Sequence, residues 1–195
     1  MVLAKSTVVG IQETHGTVEK MRLELAQYRL QWRIFVSASA NPNSGGVILF
    51  FRKSAFPSDA RFLLEAIVPG RVLKVTVRTG NAVGEVWNIH NFALSRDQVV
   101  RVVRLMRSSS EAVRKDPQNR SLMALGDWNF LAPGEHRTFL AAPTKKSAHS
   151  QDDDINGGPM RNLWLSAIGE LLELQQDAPT HFVLGSLTCV RLDHI

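Results

Sequence analysis

The sequence predicts an α/β domain in which two helical layers cover stacked sheets from outside. Three observations carry this expectation. Residues 47–52 (VILFFR) are almost continuously apolar, as a strand is when both faces of its sheet are covered. Between residues 62 and 91 strand-like runs follow one another with no helix between them, which argues against a purely parallel doubly wound sheet. Two later stretches, 95–115 and 161–174, carry apolar residues at helical spacing. Strand pattern alone does not separate this arrangement from other α+β architectures.

The elements follow in order. Residues 7–12 (TVVGIQ) read as a buried strand, and Val18, Met21, Leu25 and Tyr28 recur at helical spacing, so a helix is expected over 17–29. Residues 32–36 form a second strand, and a turn at Asn41-Pro42-Asn43-Ser44-Gly45-Gly46 leads into the apolar run. Strands at 62–68 and 72–78 flank Pro69-Gly70, which marks a tight antiparallel connection. Residues 81–84 read as a turn and 85–91 as a further strand. Ser95, with Gln98 three positions on, has the pattern of a capping box for a helix running to about residue 115. The many valines of that helix lower its propensity, so the expectation rests on pattern. Residues 122–126 form a buried strand ending in Asp127; 131–159 read as a long polar loop; short strands at 182–184 and 187–192 close the chain.

A chain of 195 residues suits a single domain over 1–195, with 44% apolar and 21% charged residues. The lone Cys189 excludes a disulfide framework and fits a reducing, intracellular compartment. No run approaches the length of a membrane span. The balance of 23 basic against 18 acidic residues gives +5, a modest surplus that favours phosphate-rich partners.

Several polar residues stand at strand ends, each with a plainer alternative. Glu13 closes an apolar run and projects into the cleft at its end, or is a solvated loop residue. Asp127 and Asn129, two apart after Gly126, can address one ion or one phosphate, although such residues also commonly form turns. Asn88 and His90 repeat that spacing on an apolar strand, where burial demands partners; a structural histidine and a phosphate-contacting one are equally open. Asp193 either belongs to the site or pairs with Arg191, and Thr180, after Pro179, is otherwise a turn residue. Carboxylate and amide oxygens together suit Mg²⁺ or Mn²⁺ rather than zinc. The chain has no H-E-x-x-H, no G-x-S-x-G and no P-loop motif, which disfavours zinc-protease, serine-hydrolase and P-loop chemistry.

In this order, IQETH (11–15), GGVILFFRK (45–53), WNIHNF (87–92), LGDWNF (125–130) and RLDHI (191–195) resemble the endonuclease/exonuclease/phosphatase superfamily. That group includes abasic-site endonucleases, pancreatic deoxyribonuclease and the endonuclease domains of non-LTR retrotransposons. The resemblance implies a deoxyribonuclease-like four-layer α-β-β-α sandwich, with two mixed sheets packed face to face. It implies Glu13 as metal ligand, with Mg²⁺ the expected cofactor and Mn²⁺ its substitute. Asp127 would activate the attacking water, and Asn129 would hold the phosphate or nucleophile. His90 would contact phosphate, while Asp193 would orient the family's catalytic histidine. Thr180 matches a threonine or serine of the retrotransposon-type members. QETH and RLDHI lean toward that branch, whose longer proteins carry a reverse transcriptase domain.

Two departures accompany the match. The family's first strand carries an Asn, whereas residues 1–12 contain neither Asn nor Asp. Its catalytic histidine comes from a final S-D-H segment beyond R-x-D-H, and this sequence ends at Ile195. These departures predict a domain lacking the first strand and the last segment, and a nearly inactive polypeptide of phosphodiesterase ancestry. DNA is the leading substrate, which would imply a nuclear protein. Asn88, Thr180, Arg101, Arg104, Arg107, Lys145 and Lys146 are the candidate substrate contacts, and the arginines read equally well as a solvated helix face. The rivals are a phosphoesterase for inositol phosphates or phospholipid headgroups, and an inactive relic or binding module.

Overall fold

The computed structural model describes residues 6–128, 138–139, 157–168, 171, 181–183 and 188–190. Three strands, β1 (Val8–Gln12), β2 (Trp32–Ser37) and β3 (Val47–Arg52), form an antiparallel sheet in the order β1-β3-β2. Four more, β4 (Arg61–Val68), β5 (Val72–Thr79), β6 (Ala82–His90) and β7 (Arg120–Asp127), form a mixed sheet in that order, with β6 and β7 parallel. A small third sheet joins β8 (Thr138–Phe139), β10 (Thr188–Val190) and β9 (His181–Val183), all antiparallel.

Side-chain alternation along the strands builds the layers. On β3, Val47, Leu49 and Phe51 point between the sheets and meet Leu73, Val75, Val77 and Val86 of the mixed sheet. Ile48 and Phe50 point the other way and pack with Trp32 and Met21, the latter from helix α1 (Val18–Glu24). On β6, Trp87 and Ile89 turn outward to meet Val99, Val102, Val103 and Met106 of helix α2 (Arg96–Lys115), joined by Trp164 and Ala167 of helix α3 (Gly157–Ile168). The result is helix, sheet, sheet, helix. VILFFR is buried on both faces because it is the central strand of a sheet with a sheet on one side and a helix on the other.

Most expected elements form, with instructive differences. The capping box is present: the Ser95 side chain accepts from the Gln98 N–H, and the Gln98 side chain accepts from the Ser95 N–H. The helix expected over 17–29 begins with Thr17 as N-cap but stops at Glu24. Leu25 leaves helical geometry, and Ala26–Tyr28 continue as a 3₁₀ turn, so Leu25 and Tyr28 still reach the core through a tighter winding. The turn expected over 81–84 shrinks to Gly80-Asn81, because Thr79 already pairs with Ala82 and Gly80 takes the left-handed conformation (φ +55°) of a two-residue hairpin. Helix α3 starts before Arg161, with Pro159 in its first turn where a missing N–H costs nothing. The loop expected over 131–159 contains β8 and the start of α3; its other residues lie outside the described part. Among the described residues, no helix is long and apolar enough to cross a membrane.

Candidate active site

The site grows from the C-terminal half of β6. Asn88 and His90 share the face opposite Trp87 and Ile89, and both are buried. Asn88 lies between the sheets. Its amide nitrogen donates to the carbonyls of Ile11 (3.1 Å) and Ile48 (2.8 Å), and its side-chain oxygen accepts from the Gln12 amide. Both amide hydrogens are therefore used within the fold. The placing of Asn88 among the substrate contacts is corrected accordingly: it staples β6 to β1 and β3.

His90, one pleat further on, reaches the strand end. Its backbone N–H donates to the Arg71 carbonyl (2.8 Å), and its Nδ1 lies 2.8 Å from an Arg71 Nη1. A guanidinium only donates, so Nδ1 is the acceptor and a neutral ring carries its hydrogen on Nε2. That Nε2 faces the Glu13 carboxylate at 3.5 Å. Burial, then the neighbouring Arg71 charge, push the His90 pKa down to about 4, although Glu13 opposes them. The imidazole is neutral at pH 7, so its contact with Glu13 is not an ion pair. Arg71 also donates from Nη2 to the Ser44 hydroxyl (2.7 Å), and its guanidinium lies 5.3 Å from the Phe92 ring centroid. Phe92 stacks on His90, with centroids 5.9 Å apart and planes 12° from parallel.

Glu13 reaches this point through an unusual backbone. Directly after β1 it adopts φ +52°, a left-handed conformation that a glutamate rarely takes. The next two N–H groups, of Thr14 and His15, donate to the Gly46 and Gly45 carbonyls at 3.2 and 2.9 Å. Gly46 is itself left-handed (φ +95°), and a Cβ there would run into the Thr14 hydroxyl, so the clamp needs glycine. The strain at Glu13 accompanies a sharp exit from β1 that leaves the carboxylate exposed beside His90.

Gly126 brings β7 to the same end. A Cβ on Gly126 would fall onto the Ile89 carbonyl oxygen, so only glycine lets the two strands close there. Asp127 is in register with His90, and its carbonyl accepts from the Asn91 N–H (2.8 Å). The Asn91 side chain, fully buried, donates to the Trp128 carbonyl at 2.6 Å. Trp128 is buried edge-to-face against Trp164, so LGDWN splits into a packed indole and a half-buried Asp127 at the strand end.

Glu13, His90 and Asp127 are therefore brought to one end of the sandwich. Asn129, Thr180, Asp193, Lys145 and Lys146 lie outside the described residues. Arg101, Arg104 and Arg107 are exposed on α2, which starts near the strand ends and runs back away from them; Arg107 donates to the Ser166 carbonyl of α3 (3.3 Å). Arg71 and Phe92 escaped the sequence reading. The only signal for Arg71 was a long cation following Pro69-Gly70 at the start of an apolar strand. As to a metal, no group of three or more His, Cys, Asp or Glu converges among the described residues. Mg²⁺ is commonly held by one or two carboxylates with substrate phosphates and water completing its shell, and an exposed Glu13 beside an uncharged imidazole fits that habit.

A model of the Endonuclease/Exonuclease/phosphatase family matches residues 2–195. Among solved structures, the chain is similar to the catalytic domain of Xenopus laevis APE2, at 16% identity and TM-score 0.60, covering 97% of this chain and 73% of that one. It is similar to a variant of the 3′ phosphatase NExo from Neisseria bound to product DNA hairpin (17% identity, TM-score 0.56, 99% and 77% covered). It is also similar to the endonuclease domain of TRAS1, a telomere-specific non-LTR retrotransposon (15%, TM-score 0.52, 90% and 76%). The chain spans about three-quarters of these structures and 52% of the humanized D. rerio TDP2. No curated protein sequence matches it. Identities this low speak for the fold.

Proposed function

The chain belongs to the endonuclease/exonuclease/phosphatase family, and on that premise we propose that it hydrolyses phosphodiester bonds of DNA at the shared end of β1, β6 and β7. The observation carrying this reading is the meeting of Glu13 with His90, in register with Asp127, at one strand end. Glu13, with phosphate oxygens, would hold Mg²⁺ or Mn²⁺, which when bound supplies Lewis-acid polarisation of the phosphoryl group. Asp127 accepts a proton from the attacking water as the new O–P bond forms in line with the ester bond that breaks. His90, neutral and held by Arg71, offers Nε2–H to a phosphoryl oxygen on which charge accumulates. It needs no positive charge for that task. The leaving alkoxide takes its proton from solvent. Asn129 steadies the phosphate in this scheme, and Asp193 stands where the family pattern orients the histidine of its S-D-H segment.

The test uses protein in excess over supercoiled DNA. Nicking that requires Mg²⁺ and falls by about 10²–10³ in Asp127→Ala is expected, on the scale set by removing a transition-state contact. Release of phosphate from inositol phosphates without DNA nicking would replace the substrate. Neither activity would leave a relic of the fold.

A further inference from the structure

Phe92 is the single exposed residue among the Phe, Tyr and Trp of positions 6–128, with 48% of its surface open, while the others there are buried or half-buried. An exposed ring by itself calls for no explanation. This one is held in place from three sides. Its N–H donates to the His90 carbonyl (2.9 Å), the tight turn that lifts it off the end of β6. Asn91 before it is wholly buried and tied to the Trp128 carbonyl, and Leu94 beyond it is 8% exposed in the α2 core. Ala93 between them takes φ +55°, a left-handed conformation that a non-glycine residue holds only where its surroundings insist. The ring is also fixed in attitude, nearly parallel to the His90 imidazole and beside the Arg71 guanidinium. A strained backbone therefore displays a flat apolar face next to the histidine and a cation.

We propose that Phe92 is a stacking platform for one unpaired nucleobase next to the phosphate bound at His90. The inference rests on the reading of the site as a phosphodiesterase and narrows its substrate to a nucleic acid with a base free of its partner at that position. A flat ring with no polar atom accepts any base and reads no sequence. A rigid ring loses little entropy on binding. Arg71, already aligned with ring and imidazole, supplies positive charge for the backbone that carries the base. An inositol phosphate has no aromatic face to offer, so the arrangement also separates the two substrate classes.

The test is a thermodynamic cycle on binding, run in EDTA so that no bond is cut. Fluorescein-labelled single-stranded 12-mers, one of them intact and the others with a single abasic residue moved along the strand, are titrated by anisotropy against the wild-type chain, Phe92→Ala, Phe92→Leu and Phe92→Trp. Phe92→Ala and Phe92→Leu are expected to weaken binding of the intact strand roughly 5- to 150-fold, the usual range for one stacked base, with Phe92→Trp retaining it. At one position, removing the base is expected to cost as much as removing the ring, and doing both no more than either. Equal binding by wild type and Phe92→Leu, or losses that multiply at every position, overturns the platform. So does a wild-type chain that binds no oligonucleotide. The phosphodiesterase reading is judged apart, by Mg²⁺-dependent nicking in the wild type: nicking with Phe92-independent binding leaves that reading and removes this one. Thermal melts of Phe92→Leu, expected within a few degrees of wild type, separate lost stacking from lost fold.

Discussion

Asn88 and His90 stand two residues apart on one face of one strand, and the fold treats them oppositely. Asn88 lies where the second sheet still covers β6, and every amide hydrogen it owns is given to a carbonyl of β1 or β3. His90 lies where that cover ends. It meets a cation on one side and an exposed carboxylate on the other, and among the described residues its ring N–H has no tighter partner than Glu13 at 3.5 Å. Both are closed from water, so the difference lies in what each meets: backbone carbonyls for Asn88, charged side chains for His90. A polar group enclosed by two sheets must be satisfied by the protein itself, whereas one that faces an exposed carboxylate can exchange that partner for a ligand.

This contrast predicts a division between function and stability. The largest effect belongs to the rim: His90→Ala is expected to lower single-turnover nicking by about 10²–10³, on the scale of a lost transition-state donor, while most molecules stay folded by circular dichroism. Comparable nicking by the variant would reduce His90 to a packing residue. The interior behaves conversely. Asn88→Leu strands the carbonyls of Ile11 and Ile48 and the amide of Gln12, and should cost about 3 kcal/mol or more in urea unfolding, with the rate per folded molecule preserved. If that variant instead loses rate without stability, the two positions have been distinguished wrongly.

Acid sharpens the comparison further. Because the folded His90 pKa is depressed to about 4, unfolded chains take up a proton near pH 6.5 that folded chains refuse. The histidine's contribution is complete above pH 6.5 and is lost as pH falls toward 4, by roughly 3 kcal/mol in total. Urea midpoints of the wild type should show this slope in addition to that of His90→Gln; parallel curves would contradict it. The smallest effect on stability is expected at Glu13. Replacement by glycine relieves the left-handed backbone and should raise stability by ~1 kcal/mol, while removing the metal-dependent part of any nicking.

The division between these two positions was invisible in the sequence. WNIHNF shows two polar residues at strand spacing, and nothing in that spacing says that the first falls under β1 and β3 and the second beyond them. The layers were legible because burial on both faces leaves a run such as VILFFR, and because Ser95 and Gln98 carry their cap chemistry within four residues. The strand ends at Glu13, His90 and Asp127 could be read as places where apolar runs give way to polar groups. Arg71 could not. Its partners, Ser44 and His90, lie 27 and 19 residues away, and no local pattern links them. Helix α1 was overextended for a related reason, since Tyr28 has helical spacing yet meets the core through a 3₁₀ turn.

The Asn88 bonds also bear on how the chain assembles. They join residues 76, 77 and 40 positions apart, so none can close while either sheet is alone. A half-built molecule would have to keep that amide wet, which disfavours a dry, loosely docked sandwich. The same amide rejects a slipped alignment: one residue of shift along β3 would offer it a side chain where it now finds the Ile48 carbonyl.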